Sequence, residues 1–268
     1  MLEEVNREHI EDKFFSKDVS NDYPNKVMTR VGAKGKTFTK VDFKYTHFIH
    51  CYFRDCVFDS CTFTGCKFIN SNLIGSEFPG SQFHFTSFSN THVSEEILDN
   101  NCPSYDNLKR VFARSLRTNF SSLGNNEGAN KAIKIELDST KSHLYKKWRS
   151  NESYYRTKYK GWSRFYSFFQ WLGFKLLEFI WGNGESILKL ARSIIILLFI
   201  MTLYDVFRFR DSGAVLSYWT SFKNMPSVLL SITKPYEYSN SYVSIIYFVR
   251  LIAFGLFMAI LIKRFNKR

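Results

Sequence analysis

From Lys36 to Ser94 the chain repeats every five residues, and this period restricts the fold more than any other feature. Phe stands at positions 38, 43, 48, 53, 58, 63 and 68; Leu73 takes the next slot, then Phe78, Phe83 and Phe88, then Val93. Two residues ahead of each runs a second series of small residues: Thr46, Cys51, Cys56, Cys61, Cys66, Ser71, Ser76, Ser81, Thr86 and Thr91. Neither 3.6 nor 2 divides a period of five, so a simple amphipathic helix or strand is excluded. A strict short period means that each unit buries its inward face only by stacking on its neighbours, which is a solenoid. One large and one small inward residue per unit suit a narrow, four-sided coil.

A central Phe or Leu with a small residue two positions earlier resembles the pentapeptide-repeat family. The resemblance implies a right-handed quadrilateral β-helix with four repeats per coil and about three coils, and the solenoid with its cap is expected over 36–99. Its core holds Phe48, Cys51, Phe53, Cys56, Phe58, Cys61, Phe63, Cys66 and Phe68. The small slot carries Cys, Ser and Thr where the family more often has Ala, so a slightly looser interior is expected. Lys36 and Val41 in that slot predict a frayed first coil, with residues 1–35 as a separate N-terminal segment.

The cysteines do not read as a metal site, because a spacing of five is not metal-ligand spacing and successive thiols enter a square coil from different sides. They read as small core filler. His47, His50, His84 and His92 fall on slots that face away from the core. Over Lys36–Ser94 five Lys or Arg stand against four Asp or Glu, a balance that disfavours mimicry of DNA. The N-terminus, MLEEVNREHIEDK, has no apolar stretch of the signal-peptide kind, so a cytoplasmic repeat domain with reduced cysteines is expected.

Beyond the repeat, Ser94-Glu95-Glu96 opens a short helix expected to cap the solenoid. Pro103-Ser104 opens a second helix with Leu108, Val111, Phe112 and Leu116 on one face. After a loop at Ser121–Gly128, Ala129, Ile133 and Leu137 begin a third. The pair predicts a helical hairpin over 103–160 that acts as a neck, with His143 on its surface and Ser186 further on as a helix cap. From Lys141 to Arg164 eight Lys or Arg meet one acid, Glu152, just upstream of an aromatic segment over 161–184. Trp and Tyr mixed with Lys and Arg favour the headgroup layer, so an interfacial helix is expected there.

Ile187–Phe207 and Tyr242–Ile262 are each about the 20 residues that an apolar helix needs to cross the hydrocarbon core. The net charge of +13 is therefore assigned to lipid headgroups rather than to nucleic acid. Basic residues flank the spans, and the positive-inside rule puts both termini in the cytoplasm of an inner-membrane protein. Between the spans, Asn224 and Pro226 predict the start of a short re-entrant helix, MPSVLLSIT.

GNGES, SVLLSIT and GLFMAILIKRF, in that order over Trp181–Arg268, resemble the two-helix potassium-channel-like pore module. The aligned filter residues are Thr233, Lys234, Pro235, Tyr236 and Glu237 in place of T-x-G-Y-G. Filter glycines let successive carbonyls face the ion, and proline cannot copy them, so potassium selectivity is not expected. Arg250 stands where the family tends to place a hinge glycine. Two readings of it stand level: a pore-lining residue that favours anions or repels cations, or a structural residue that pairs with Asp205 or a carbonyl or snorkels to the outer interface.

The fold class expected is thus a β-helix, a helical neck and two transmembrane helices with a re-entrant pore helix over 185–268. The function expected is an oligomeric, poorly selective pore with a cytoplasmic repeat domain, acting as a defence or stress effector that depolarises the membrane. The alternative is a membrane-anchored scaffold whose repeat face binds a cytoplasmic protein, without conductance. The expected partners are the lipid bilayer, further copies of the chain and that cytoplasmic protein, with no nucleic acid. No cofactor is implied, and no glycine-rich phosphate loop or nucleophile motif points to an enzyme.

Overall fold

The structure, a computed structural model, describes residues 7–235 and 237–265, apart from the side chain of Arg264. The chain forms two compact units, Met1–Ser167 and Phe168–Arg268.

The first unit opens with nine short strands: β1 (Glu8–Glu11), β2 (Lys26–Thr29), β3 (Gly32–Lys34), β4 (Thr37–Thr39), β5 (His47–Ile49), β6 (Tyr52–Arg54), β7 (Val57–Asp59), β8 (Lys67–Ile69) and β9 (Ser87–Ser89). Every ladder is parallel. One face stacks β1-β2-β5-β8-β9, and two others pair β3 with β6 and β4 with β7. Met28 opposes Phe48, Phe48 opposes Phe68 and Phe68 opposes Phe88, so each coil takes 20 residues, four repeats of five. The stack is a β-solenoid of about four turns.

Two expectations are corrected here. The solenoid starts upstream of residue 36: β1, β2 and β3 lie in the register of the coils above them. This first coil is shorter, with Ile10 opposite Met28, a step of 18 residues. Its lost period and mixed Ile10, Phe15, Val19 and Tyr23 interior hid it from pattern reading. Nor is the coil at Val41 frayed, for Val41 is fully buried. A β-branched side chain still fits the small slot there.

The core residues expected from Phe48 to Phe68 are all buried. Along each face the rings stack at the spacing of the strands: Phe38–Phe58 and Phe48–Phe68 at 4.6 Å, Phe63–Phe83 at 4.9 Å. Between adjacent faces they meet edge-on, as Phe48 and Phe53 do at 85°.

The small slot does not loosen the interior. Most side chains there donate to the carbonyl of the central residue 23 positions earlier: Ser76 Oγ to Phe53 at 2.7 Å, Ser81 Oγ to Phe58 at 2.7 Å, Thr86 Oγ1 to Phe63 at 2.6 Å, Cys61 Sγ to Phe38 at 3.3 Å. Many also accept from the coil below, as Ser76 Oγ does from the Cys56 amide at 3.1 Å. Alanine offers neither bond, so hydroxyls and thiols satisfy backbone groups that the square coil would otherwise bury unpaired.

Each coil turns its corners two residues past the central one, with positive φ at Lys40, Tyr45, His50, Asp55 and Ser60. Gly65 occupies one such corner at φ +72°, and a Cβ there would lie 2.5 Å from the Tyr45 ring, which covers it.

The helices of this unit are α1 (Ile97–Asn100), α2 (Asp106–Ser122), α3 (Asn126–Arg149) and α4 (Ser153–Lys158). α2 and α3 pair as the expected hairpin, but α2 is more than a neck. Phe112, Leu116 and Phe120 join the solenoid core, and Phe112 meets Phe83 at 5.7 Å. Asn119 accepts from the Thr91 amide and donates to its carbonyl, both at 2.7 Å, while Ser115 Oγ accepts from the Phe88 amide at 2.8 Å. α2 is the lid on the last coil, and it closes the edge that a parallel ladder leaves open. α1 completes that lid through buried Ile97 and Leu98.

His143 is buried, not on the neck surface, because α4 folds back and sets Tyr155 Oη 3.1 Å from its Nδ1. Burial first, then the nearby Arg110 and Lys147 cations, push its pKa down to about 4.

α5 (Trp162–Trp181) leads to a tight turn at Gly182–Gly184 and to the second unit's helices, α6 (Ile187–Phe209), α7 (Val215–Leu229) and α8 (Asn240–Phe265). Ser186 caps α6 by accepting from the Lys189 amide at 3.2 Å. The short helix does not begin at Asn224 as expected. α7 starts at Val215 and carries Pro226 inside it. Phe222, a turn earlier, stacks on Phe199 of α6 at 4.7 Å, and that packing holds the helix through the missing proline donor.

Candidate functional site

α6 and α8 are long and apolar enough to cross a membrane, and most of their apolar surface is bare, with 17% and 11% of the most apolar stretches buried. Leu188, Ile200, Phe207, Phe248, Leu251 and Phe254 are each more than half exposed. Apolar faces bared to this extent mark a surface that meets a membrane or another protein.

Within this apolar setting sits one polar centre. Asp205 of α6 is 1% exposed. It accepts from Arg210 Nε at 2.6 Å, from Ser221 Oγ of α7 at 2.7 Å and from Tyr238 Oη at 2.7 Å. These donors come from the end of α6, from α7 and from the segment before α8. Asp205 therefore fastens three elements together. A carboxylate removed from water needs this number of donors. Around it Met201, Met225, Val228, Leu229 and Ile246 form a small core. On the sequence Asp205 stands out only as a possible partner for Arg250, and Ser221 and Tyr238 do not stand out at all. Nothing in their spacing marks them, since they converge only when α7 lies along α6.

The filter-like residues form no comparable polar centre among the described residues. Thr233 and Lys234 are exposed, Pro235 is half-buried and Glu237 is exposed, while Tyr236 lies outside the described residues. Lys234 Nζ reaches Asn240 Oδ1 at 3.4 Å. Buried Tyr238, just past the expected motif, is what anchors this segment.

Arg250 does not pair with Asp205. Its Nη1 donates to the Leu230 carbonyl at 3.1 Å and to Ser231 Oγ at 2.5 Å, and its guanidinium lies 4.9 Å from the Tyr247 ring. Leu230 closes α7. The cation thus sits on the helix end that carries the negative half of the dipole. Nearer the start of the unit, Lys263 of α8 pairs with Glu185, and Ser193 Oγ donates to the Ile180 carbonyl at 2.9 Å.

In the first unit the buried thiols offer no reactive site. Burial pushes Cys51 and Cys61 up to about 11, and Cys56 and Cys66 also upward. Among the described residues no group of three His, Cys, Asp or Glu is placed to hold a metal ion.

Comparison with known proteins bears on the solenoid. Residues 37–73 and 56–94 match the family described as pentapeptide repeats, in 8 copies. Among solved structures, the chain is similar to QnrB1, a plasmid-mediated fluoroquinolone resistance protein, at 18% identity and a TM-score of 0.15. That match covers 32% of this chain and 52% of QnrB1, so the chain spans about half the length of that relative. A pentapeptide-repeat protein from the Arabidopsis thaliana thylakoid lumen matches at 18% identity and a TM-score of 0.13, over 31% of this chain and 69% of that one. No curated protein matches the chain.

Proposed function

We propose, from a chain whose residues 37–94 are a pentapeptide-repeat domain, that it is a membrane protein whose C-terminal unit assembles in several copies as a weakly selective pore. The observation that carries this reading is the bareness of α6 and α8. Lipid accounts for part of the uncovered surface, and neighbouring copies account for the rest. One chain supplies two spans, which cannot enclose a lumen, so several must gather around an axis. The Asp205 centre supports the reading, because a segment between two spans needs polar partners inside protein if it is to sit at membrane depth. The solenoid then serves as a cytoplasmic platform for assembly or sensing.

Arg250 gives this pore its expected character. A cation on the C-terminal end of α7 cancels the dipole that would attract potassium or sodium there. Purified full-length protein is expected to carry current across planar bilayers without preference for cations. Arg250→Ala is expected to shift the reversal potential toward cations. Absence of current in every lipid and salt, from a monodisperse monomer, defeats the reading.

A second reading keeps the membrane anchor without conductance, the solenoid binding a cytoplasmic protein. It is favoured by Arg250 being engaged within a single chain, on α7, rather than held ready for a shared axis. A specific partner captured by the repeat domain, together with electrical silence, distinguishes it.

A further inference from the structure

The apolar residues of α5 are sorted by helical spacing. Trp162, Tyr166, Leu172, Leu176 and Phe179 fall within an arc of about 140° at 3.6 residues per turn. Each is between 45% and 82% exposed. Gly173 lies in the same arc, and nothing stands within 4 Å of where its Cβ would be. The opposite arc carries Arg164, Ser167, Lys175 and Glu178, with half-buried Trp171 and Phe174 among them. There Lys175 pairs with Glu178 at 3.5 Å, and Ser167 Oγ donates to the Ser163 carbonyl at 2.7 Å.

The last turn of α5 is fastened to the second turn of α6. Gly182, Asn183 and Gly184 all take positive φ, which reverses the chain within three residues. Arg192 then donates to the Phe179 carbonyl, and its guanidinium carbon lies 4.3 Å from the centre of that ring. Ser193 Oγ donates to the Ile180 carbonyl. A cation on these carbonyls is favoured by the negative end of the α5 dipole.

We propose that α5 lies in the plane of the membrane, its bare arc set among lipids at the boundary between headgroups and acyl chains. Length alone does not decide this, because 20 residues make about 30 Å of helix, enough to span. A spanning helix, however, meets hydrocarbon on every side, and Lys175 and Glu178 would carry charge into it. A helix at the boundary keeps one face in acyl chains and the other in water, the division that α5 shows. Trp162 and Tyr166 on the arc, with Lys160 and Arg164 beside them, suit the headgroup layer. The depth rests on α6 being a span, as proposed above. Where α6 enters the bilayer by its first turns, the end of α5 held at Arg192 and Ser193 is at the membrane surface. Since α6 brings its own bare apolar face to that level, lipid is the medium that both helices share.

The test places single added cysteines in the full-length chain, reconstituted in vesicles of phosphatidylcholine and phosphatidylglycerol, and labels them with a nitrobenzoxadiazole fluorophore. The parent chain, labelled in parallel, gives the background of the natural cysteines. Lipids carrying a nitroxide near the glycerol or near the end of the acyl chain, and iodide in the water, read the depth. Leu172, Leu176 and Ile200 are exposed, so a cysteine at each removes little packing. At Leu172→Cys and Leu176→Cys the shallow nitroxide is expected to quench at least about twofold more than the deep one. At Lys175→Cys iodide is expected to quench most. Ile200→Cys, midway along α6, reports on the span separately, and there the deep nitroxide is expected to dominate. Shallow quenching at Leu172 and Leu176 with silence at Ile200 supports the in-plane helix and defeats the span. No lipid quenching at Leu172 and Leu176, stronger quenching there by the deep nitroxide, or lipid quenching at Lys175 equal to that at Leu176 overturns the proposal.

Discussion

A single slot in the repeat shows how much one side chain settles. Cys, Ser and Thr two residues ahead of each Phe look interchangeable with alanine by size, yet their Sγ and Oγ atoms bridge successive coils. The spacing shows that these residues point inward; it does not show the carbonyl 23 residues earlier that most of them meet. His143 is a second case. On the sequence it is one polar residue among many in a basic helix. In the folded chain it is buried and its pKa is about 4, below the ordinary value of 6.5. A depressed base means that the unfolded chain binds the proton more tightly than the folded one. Stability is complete above about pH 6.5, falls as pH drops toward 4, and loses nothing further to this group below that. The full loss is about 3 kcal/mol. Urea midpoints measured from pH 7 to pH 4 are expected to show this slope, and His143→Gln is expected to flatten it. An unchanged slope in the variant rules His143 out as its source.

At the scale of elements, the last coil and its lid carry the clearest expectation. Asn119 satisfies both backbone groups of Thr91 while 1% or less of either residue is exposed. Asn119→Ala leaves an amide and a carbonyl buried without partners, which costs about 2–4 kcal/mol. Thr118→Ala, one residue away and exposed, is expected to cost less than about 0.5 kcal/mol. Chemical denaturation of the two variants side by side measures the difference; equal costs would mean that α2 is only a neck. α7 teaches the opposite lesson about local signals. Pro226 is a sound helix start by its chemistry, but Phe222 on Phe199 and Ser221 on Asp205 carry the helix back to Val215. Local propensity sets a preference, and packing overrides it when several contacts oppose one lost hydrogen bond.

For the whole molecule, the two units have separate cores, one of stacked Phe rings and the other around Met201 and Met225. Separate cores imply separate cooperativity. The full chain in detergent is expected to unfold in two steps, with strand signal and α6–α8 helix signal lost at different midpoints. One coincident transition by both probes contradicts that expectation. The cationic excess of the chain belongs to this scale too, since the solenoid is balanced in charge and the excess lies in the helical part that follows it, most of it from residue 187 onward.

The sequence by itself determined the coil. A period of five with two inward slots leaves almost one way to bury a Phe per repeat, because each unit sees only its neighbours. It also determined the two apolar spans, since length and hydropathy are local sums. The tertiary structure alone decided where the solenoid begins, what closes its end, and which residues surround Asp205. Those outcomes depend on contacts between positions far apart in the chain: Ile10 with Met28, Asn119 with Thr91, Tyr238 with Asp205. No local pattern encodes such meetings. They arise when buried polar groups must find partners and the folded backbone fixes which ones are within reach.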